Sequence, residues 1–174
     1  MDEKILITGA GSYMGTSFAK YMQKYEDYET DTVDMIDGSW RQKDFSLYDV
    51  VFHVAGIAHQ KETKENAHLY YEVNKDLAIE TAKKAKESGI KQFVLLSSMS
   101  VFGINKGIIT QSTKPNPKSN YGKSKLLADI EIEKIADEPF KVAILRPPIV
   151  YRNGCKGNYQ RLKKLALKTP LNGL

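Results

Sequence analysis

A single cysteine, Cys155, among 174 residues excludes an internal disulfide and any metal centre built on clustered cysteines. No apolar run approaches the ~18 residues of a membrane-spanning helix, so no membrane span is expected. Met1-Asp2-Glu3-Lys4 leads straight into an apolar strand pattern. The basic and apolar regions of a secretory signal are missing, which makes the cytoplasm the expected location. Histidine is scarce, and His59 and His68 lack an acidic neighbour at ligand spacing, so no metal is expected. The Gly-x-Ser-x-Gly elbow of a serine hydrolase does not occur, and there is no internal repeat or low-complexity tract. The net charge of +5 is mostly interspersed, as in Lys83-Lys84-Ala85-Lys86-Glu87. Such mixing reads as a solvated helix face rather than a nucleic-acid surface. Lys156, Arg161, Lys163, Lys164 and Lys168 are more one-sided; they suit either an anionic substrate or a helix surface.

What is present is alternation. Short apolar runs over 4–8, 30–35, 50–55, 92–97 and 140–145 read as strands. Helical patterns fall between them over 13–25, 66–88 and 121–136, with a last short one over 160–168. Phe18, Ala19, Met22 and Tyr25 share one face of the first helix, and Gly89 stops the second. The stretch 36–48 is too short for a full helix-plus-strand unit, so a strand there would be minimal; Trp40 within it suits either the core or an adenine wall. Tyr21, Tyr25 and Tyr28 read as packing, and so does His53 within its apolar strand. Continuous apolar strands separated by helices imply an α/β fold, a doubly wound parallel sheet of Rossmann-like type. In such a fold ligands bind at the carboxyl ends of the strands.

The chemistry-bearing residues fall at those ends. Thr8-Gly9-Ala10-Gly11-Ser12-Tyr13-Met14-Gly15 joins the first strand to the first helix. Glycines there let backbone N–H groups approach a pyrophosphate, and the helix N-terminus favours its charge. Asp34, at the end of the second strand, suits the hydroxyls of an adenosine ribose and would repel a 2′-phosphate, which favours NAD over NADP. Asp31 and Asp37 are its neighbours and rivals. Tyr121 and Lys125 are four apart on one helix, so a cation faces a phenol and is expected to lower its pKa. Ser97 and Ser98 end a strand, where a hydroxyl can meet a substrate oxygen.

Thr8–Gly15, Asp34, Asp44-Phe45, His53-Val54-Ala55-Gly56, Asn74, Ser97–Gly103, Tyr121–Lys125 and Leu145–Tyr151 occur in one order along the chain. That ordered set resembles the extended short-chain dehydrogenases/reductases, and within them the NAD-dependent epimerase/dehydratase group. The resemblance implies that Tyr121 is the general acid/base, that Lys125 holds the nicotinamide ribose and tunes Tyr121, and that Ser98 orients the sugar oxygen. It implies a cofactor site of Gly9, Ser12, Tyr13, Met14, Gly15, Asp34, Asp44, Phe45, Ala55, Gly56, Asn74 and Lys125, with Asp44 and Phe45 bordering the adenine. The substrate implied is a nucleotide sugar, a uridine diphosphate sugar in particular. The 4,6-dehydratase branch carries Asp-Glu where this chain has Met99-Ser100, so epimerase or 4-keto-reductase chemistry is expected. Ser12 stands where the family has a glycine, which puts a Cβ near the pyrophosphate. Family members run well past this length, and their C-terminal part forms most of the sugar pocket. Residues 1–150 are therefore expected as the NAD-binding domain, and 151–174 as the start of a substrate region that is largely absent. A homodimer paired through the helices over 66–88 and 121–136 is also implied. From another functional class, an NAD-binding but catalytically incomplete module, a fragment or sensor, is the alternative.

Overall fold

The alternation becomes a parallel sheet flanked by helices in the computed structural model, which describes residues 2–58, 62–104, 106–148 and 150. The strands are β1 (Glu3–Thr8), β2 (Tyr28–Val33), β3 (Val50–His53), β4 (Gln92–Leu96) and β5 (Lys141–Leu145). The helices are α1 (Tyr13–Met22), α2 (Ala67–Tyr71), α3 (Leu77–Glu87) and α4 (Asn120–Glu133). The sheet order is β2-β1-β3-β4-β5, every pair parallel. The chain steps outward from β1 to β2, then crosses back to β3. The order thus reverses between β1 and β3, and a crevice opens there at the carboxyl ends of the strands.

No strand forms across 36–48. Ser39–Arg41 makes a 3₁₀ turn, and Trp40 and Phe45 drop fully into the core, rings 6.4 Å apart. Trp40 is therefore a core residue and not an adenine wall. Burying two large aromatic rings stabilises the fold by about 1.5–3 kcal/mol each.

The long helical pattern over 66–88 is interrupted. Between α2 and α3 lies a π turn, Glu72–Asp76. Its C-terminus follows the sequence expectation: Gly89 takes φ +78°, Ile90 N–H donates to Ala85 O and Gly89 N–H to Lys86 O, a Schellman closure. By contrast, α1 stops at Met22, so Tyr25 lies beyond it. Tyr21, Tyr25 and Tyr28 are partly exposed and pack on one another, with the Tyr21 and Tyr25 hydroxyls 2.8 Å apart. This corrects the reading that places Tyr25 on the buried helix face.

Alternate strand residues feed two cores. Leu6, Val51, Phe93 and Leu95 point towards α3 and α4, where Ala78, Ala82, Ala85, Ala128 and Ile132 let the helices lie close. Ile5, Ile7, Val50 and Phe52 face the other way and meet Met14, Phe18, Ala19 and Met22 of α1. The expected helix over 160–168, Cys155, His59 and the basic residues from Lys156 to Lys168 lie outside the described residues.

Candidate active site at the carboxyl ends of the strands

The glycine loop is shaped by contact with β3. Gly9 has φ +106°, and a Cβ there would stand 2.9 Å from Ala55 N and 3.0 Å from Ala55 Cα. Gly9 and Ala10 N–H groups both donate to Val33 O, tying the loop to the end of β2. Gly15 is buried, and a Cβ there would sit 3.2 Å from Ile7 Cγ2, so α1 lies close on β1. Ser12 has φ −66°, a backbone any residue adopts, and its hydroxyl accepts from Gly15 N–H as the α1 N-cap. The serine is thus accommodated without the glycine expected there. Tyr13 and Met14 open α1, with Met14 packed on the second core.

Asp34 is exposed just after β2, and its Oδ1 accepts from Ile36 N–H at 2.7 Å. Its rivals are committed elsewhere. Asp31 is held below the usual carboxylate range by hydrogen bonds from Lys43 and Tyr48, and Asp37 by Ser39. Asp44 is exposed and is likewise lowered, chiefly by the Ser46 hydroxyl. Phe45 is fully buried, so it forms part of the core and its ring borders no open site.

Ala55 and Gly56 follow β3. A Cβ on Gly56 would lie 2.8 Å from Asn74 Oδ1 and 3.3 Å from Lys125 Nζ, which brings the strand end, the π turn and α4 to one point. Asn74 sits in the π turn, an element frequent at functional sites. It is fully buried: Oδ1 accepts from Ile57 N–H, and Nδ2 donates to Ile57 O and Ser124 Oγ. Asn74 therefore clamps the strand exit to α4.

Ser98 caps the 3₁₀ turn Met99–Phe102, and α4 approaches that turn closely because Gly122 has no side chain. A Cβ on Gly122 would be 2.6 Å from Ser100 O. The close approach sets Tyr121, half-buried, beside Ser98, with its ring edge-on to Tyr70. Burial pushes the Tyr121 phenol above the ordinary tyrosine value; the nearby Ser98 hydroxyl opposes this, and Asp129 and Tyr70 reinforce it. The expected lowering by Lys125 is not what the structure shows. Lys125 is itself 5% exposed, and its Nζ donates to Leu96 O at 2.9 Å. Burial pulls it down to about 8, with the Asp129 charge opposing. The Lys125 amine is turned to the sheet end, and the groups that act on the phenol are Ser98, Asp129 and Tyr70.

Three further residues belong to this cluster. Asp129 is 1% exposed, one helical turn beyond Lys125, and accepts from Arg146 Nε at 2.8 Å. Its burial raises it, against the Ser97 hydroxyl and Arg146. The i, i+4 spacing to Lys125 was the available signal for it. Glu62, 58 residues before Asn120, bonds the start of α4, and no sequence signal marks it. His53 is packed as expected: its Nδ1 lies 2.7 Å from Thr8 Oγ1, its ring stacks on Phe93, and burial first, then the Lys125 charge, push it to about 3. Among the described residues no group of three acidic, histidine or cysteine side chains is placed to hold a metal. None of the described helices is long and apolar enough to cross a membrane.

Residues 5–167 match the family model described as NAD dependent epimerase/dehydratase family. The chain is 33% identical to a UDP-glucose 4-epimerase from Vibrio cholerae, across 97% of this chain and 58% of that protein. It is 25% identical to an N-acetyl-alpha-D-glucosaminyl-diphospho-ditrans,octacis-undecaprenol 4-epimerase from Escherichia coli O157:H7, across 95% and 55%. It therefore spans little more than half the length of these relatives. Among solved structures, a dTDP-4-dehydrorhamnose reductase from Clostridium acetobutylicum superposes with a TM-score of 0.74 at 25% identity, over 94% of this chain and 59% of that one. MoeE5 in complex with UDP-glucose and NAD superposes with a TM-score of 0.72 at 22% identity, over 82% and 53%, a likeness of fold.

Proposed function

The chain belongs to the NAD-dependent epimerase/dehydratase family, and from that premise we propose that it holds NAD at the β1/β3 crevice and serves reversible hydride transfer on a nucleotide sugar. The observation that carries this reading is convergence. Gly9 lies against Ala55, Gly56 beside Lys125 Nζ, and Tyr121 beside Ser98, so the phosphate loop and the proton-transfer candidates meet at one end of the sheet.

The residues present fit the cofactor. Gly9 and Gly56 keep backbone open where a side chain would strike Ala55 or Asn74. The α1 N-terminus offers its positive end to a pyrophosphate. Asp34 is free of the ion pairs and serine contacts that engage Asp31 and Asp37, which suits it to ribose hydroxyls. When bound, NAD supplies a nicotinamide ring that takes and returns a hydride.

In this reading Tyr121 takes the proton from the reacting sugar hydroxyl and gives it back. Ser98 hydrogen-bonds the same oxygen and lowers the phenol. Lys125 binds the nicotinamide ribose, its amine fixed by Leu96 O. Asp44 and the backbone at Ala55-Gly56 line the cofactor path, and a uridine diphosphate sugar is the favoured substrate. With Met99-Ser100 in place of an acid pair, epimerisation or 4-keto reduction is favoured over water elimination. Assembly as a homodimer through α2, α3 and α4 is supported by Leu69, Leu127 and Ile130, each partly exposed there; a monomer by light scattering at tens of micromolar would count against it.

The test compares the chain with Tyr121→Phe for NAD binding by calorimetry and turnover of UDP-glucose. Turnover by the wild type that falls at least a hundredfold in the variant, with NAD affinity kept, is the expected result. Equal turnover removes Tyr121 from the mechanism. NAD binding without turnover in either protein favours the incomplete binding module.

A further inference from the structure

The first three N–H groups of α4 need partners from outside the helix, because no preceding turn supplies carbonyls. Ser119 Oγ serves one, accepting from Gly122 N–H at 3.1 Å. The other two are served from far away in sequence. Glu62 Oε2 accepts from Asn120 N–H at 3.0 Å and from Asn120 Nδ2 at 3.3 Å, and Glu62 Oε1 accepts from Tyr121 N–H at 3.0 Å. Asn120 is braced from another side, its Oδ1 accepting from Tyr71 OH at 3.1 Å. Ile57, on the same exit from β3, is tied through Asn74 to Ser124 of α4. Two points after β3 are thus fastened to the first two turns of α4.

A carboxylate at a helix N-terminus is favourable in itself, through charge-assisted hydrogen bonds and the helix dipole. Here Ser119 already supplies a local cap through Gly122 N–H, so the helix has a start signal of its own. What Glu62 adds is a grip on the main chain of Tyr121 itself. The far side of the same residue is limited by Gly122 against Ser100 O, and the ring by Tyr70. We infer that Glu62 is a positioning residue for Tyr121: its two oxygens fix the start of α4 so that the phenol is held against Ser98. The inference rests on the reading of Tyr121 as the proton-transfer group, and it adds a residue that no local motif contains.

The experiment uses the whole chain with 13Cζ-labelled tyrosine, the Tyr121 signal being assigned by its loss in Tyr121→Phe. Wild type, Glu62→Gln, Glu62→Ala and the local-cap control Ser119→Ala are titrated with pH by NMR, and amide exchange is read at Asn120 and Tyr121. Ser98, Asp129 and Tyr70 act on the phenol and stay in place in the Glu62 and Ser119 variants; the charge of Glu62 also raises Tyr70, and Glu62→Gln and Glu62→Ala remove that effect equally. In both Glu62 variants exchange at Asn120 and Tyr121 is expected to rise about tenfold. The Tyr121 midpoint is expected to fall towards the ordinary tyrosine value as the ring gains solvent. Ser119→Ala is expected to leave the midpoint in place. A midpoint unchanged in both Glu62 variants, or moved equally by Ser119→Ala, reduces Glu62 to a helix cap and overturns the inference. These readouts need no turnover, so they separate failure of the Glu62 role from failure of the proposed reaction.

Discussion

Replacing Gly9 with alanine strikes the point where the phosphate loop meets β3, and Gly11 provides an internal control. Both glycines have positive φ, +106° and +75°. Around Gly11 nothing lies within 4 Å of an added Cβ, so Gly11→Ala meets only the cost of the left-handed region, about 1–2 kcal/mol. Gly9→Ala meets a similar or larger backbone strain, about 1–3 kcal/mol. It also drives a Cβ to 2.9 Å from Ala55 N and 3.0 Å from Ala55 Cα. Those are main-chain atoms with no rotamer to escape into, and Val54 N–H is hydrogen-bonded to Thr8 O beside them. Overpacking of this kind adds about 1–3 kcal/mol. The expected gap between the variants is therefore about 1–3 kcal/mol in urea unfolding, and roughly 2–4 °C in Tm per kcal/mol for a chain of this size. NAD affinity should fall further in Gly9→Ala, because the loop can relieve the clash only by leaving Ala55. Equal destabilisation by the two substitutions would refute the close approach as the reason for glycine at position 9.

Two other outcomes follow from buried titratable groups. His53 has its folded value at about 3, below the ordinary 6.5, so the unfolded chain binds the extra proton. Stability is full above about pH 6.5 and declines as the pH falls, by at most about 4–5 kcal/mol once below about 3. Asp129, held high by burial, works in the opposite sense, so the measurement is urea unfolding of wild type against His53→Phe between about pH 6.5 and about 4.5. Parallel curves for the two proteins would contradict the assignment. Lys125, at about 8 against an ordinary 10.5, likewise burdens the folded state at neutral pH. Lys125→Met should therefore match or exceed wild-type stability at pH 7, by up to about 2 kcal/mol, with the difference shrinking from about pH 8 to about 10.5. NAD affinity should fall in the same variant, and a Lys125→Met protein less stable than wild type at pH 7 would refute the burden.

Much of this was legible in the chain because it is local. Strand-length apolar runs, the turn at Gly89 and the glycine loop after β1 each reflect a few neighbouring residues, and the structure keeps them. The segment 36–48 was not legible as a core plug. Its two aromatic rings find their partners across the sheet, and spacing within thirteen residues carries no trace of that. Asn74 illustrates the same limit at the site: nothing in the chain marks its three hydrogen bonds to Ile57 and Ser124, which lie 17 and 50 positions away.

The four-residue spacing of Tyr121 and Lys125 is a property of the sequence, because helical geometry alone puts i and i+4 on one side. Their electrostatics is not. Burial depends on what the sheet, Asp129 and Arg146 place around them, and it raises the phenol and lowers the amine, with Ser98 rather than Lys125 drawing the phenol down. The order of elements and the loops that join them were written in the chain. The crevice between β1 and β3, the contact of Gly9 with Ala55 and the grip of Glu62 on Tyr121 were decided only when residues dozens of positions apart were packed together, since desolvation and close contact are properties of neighbours in space.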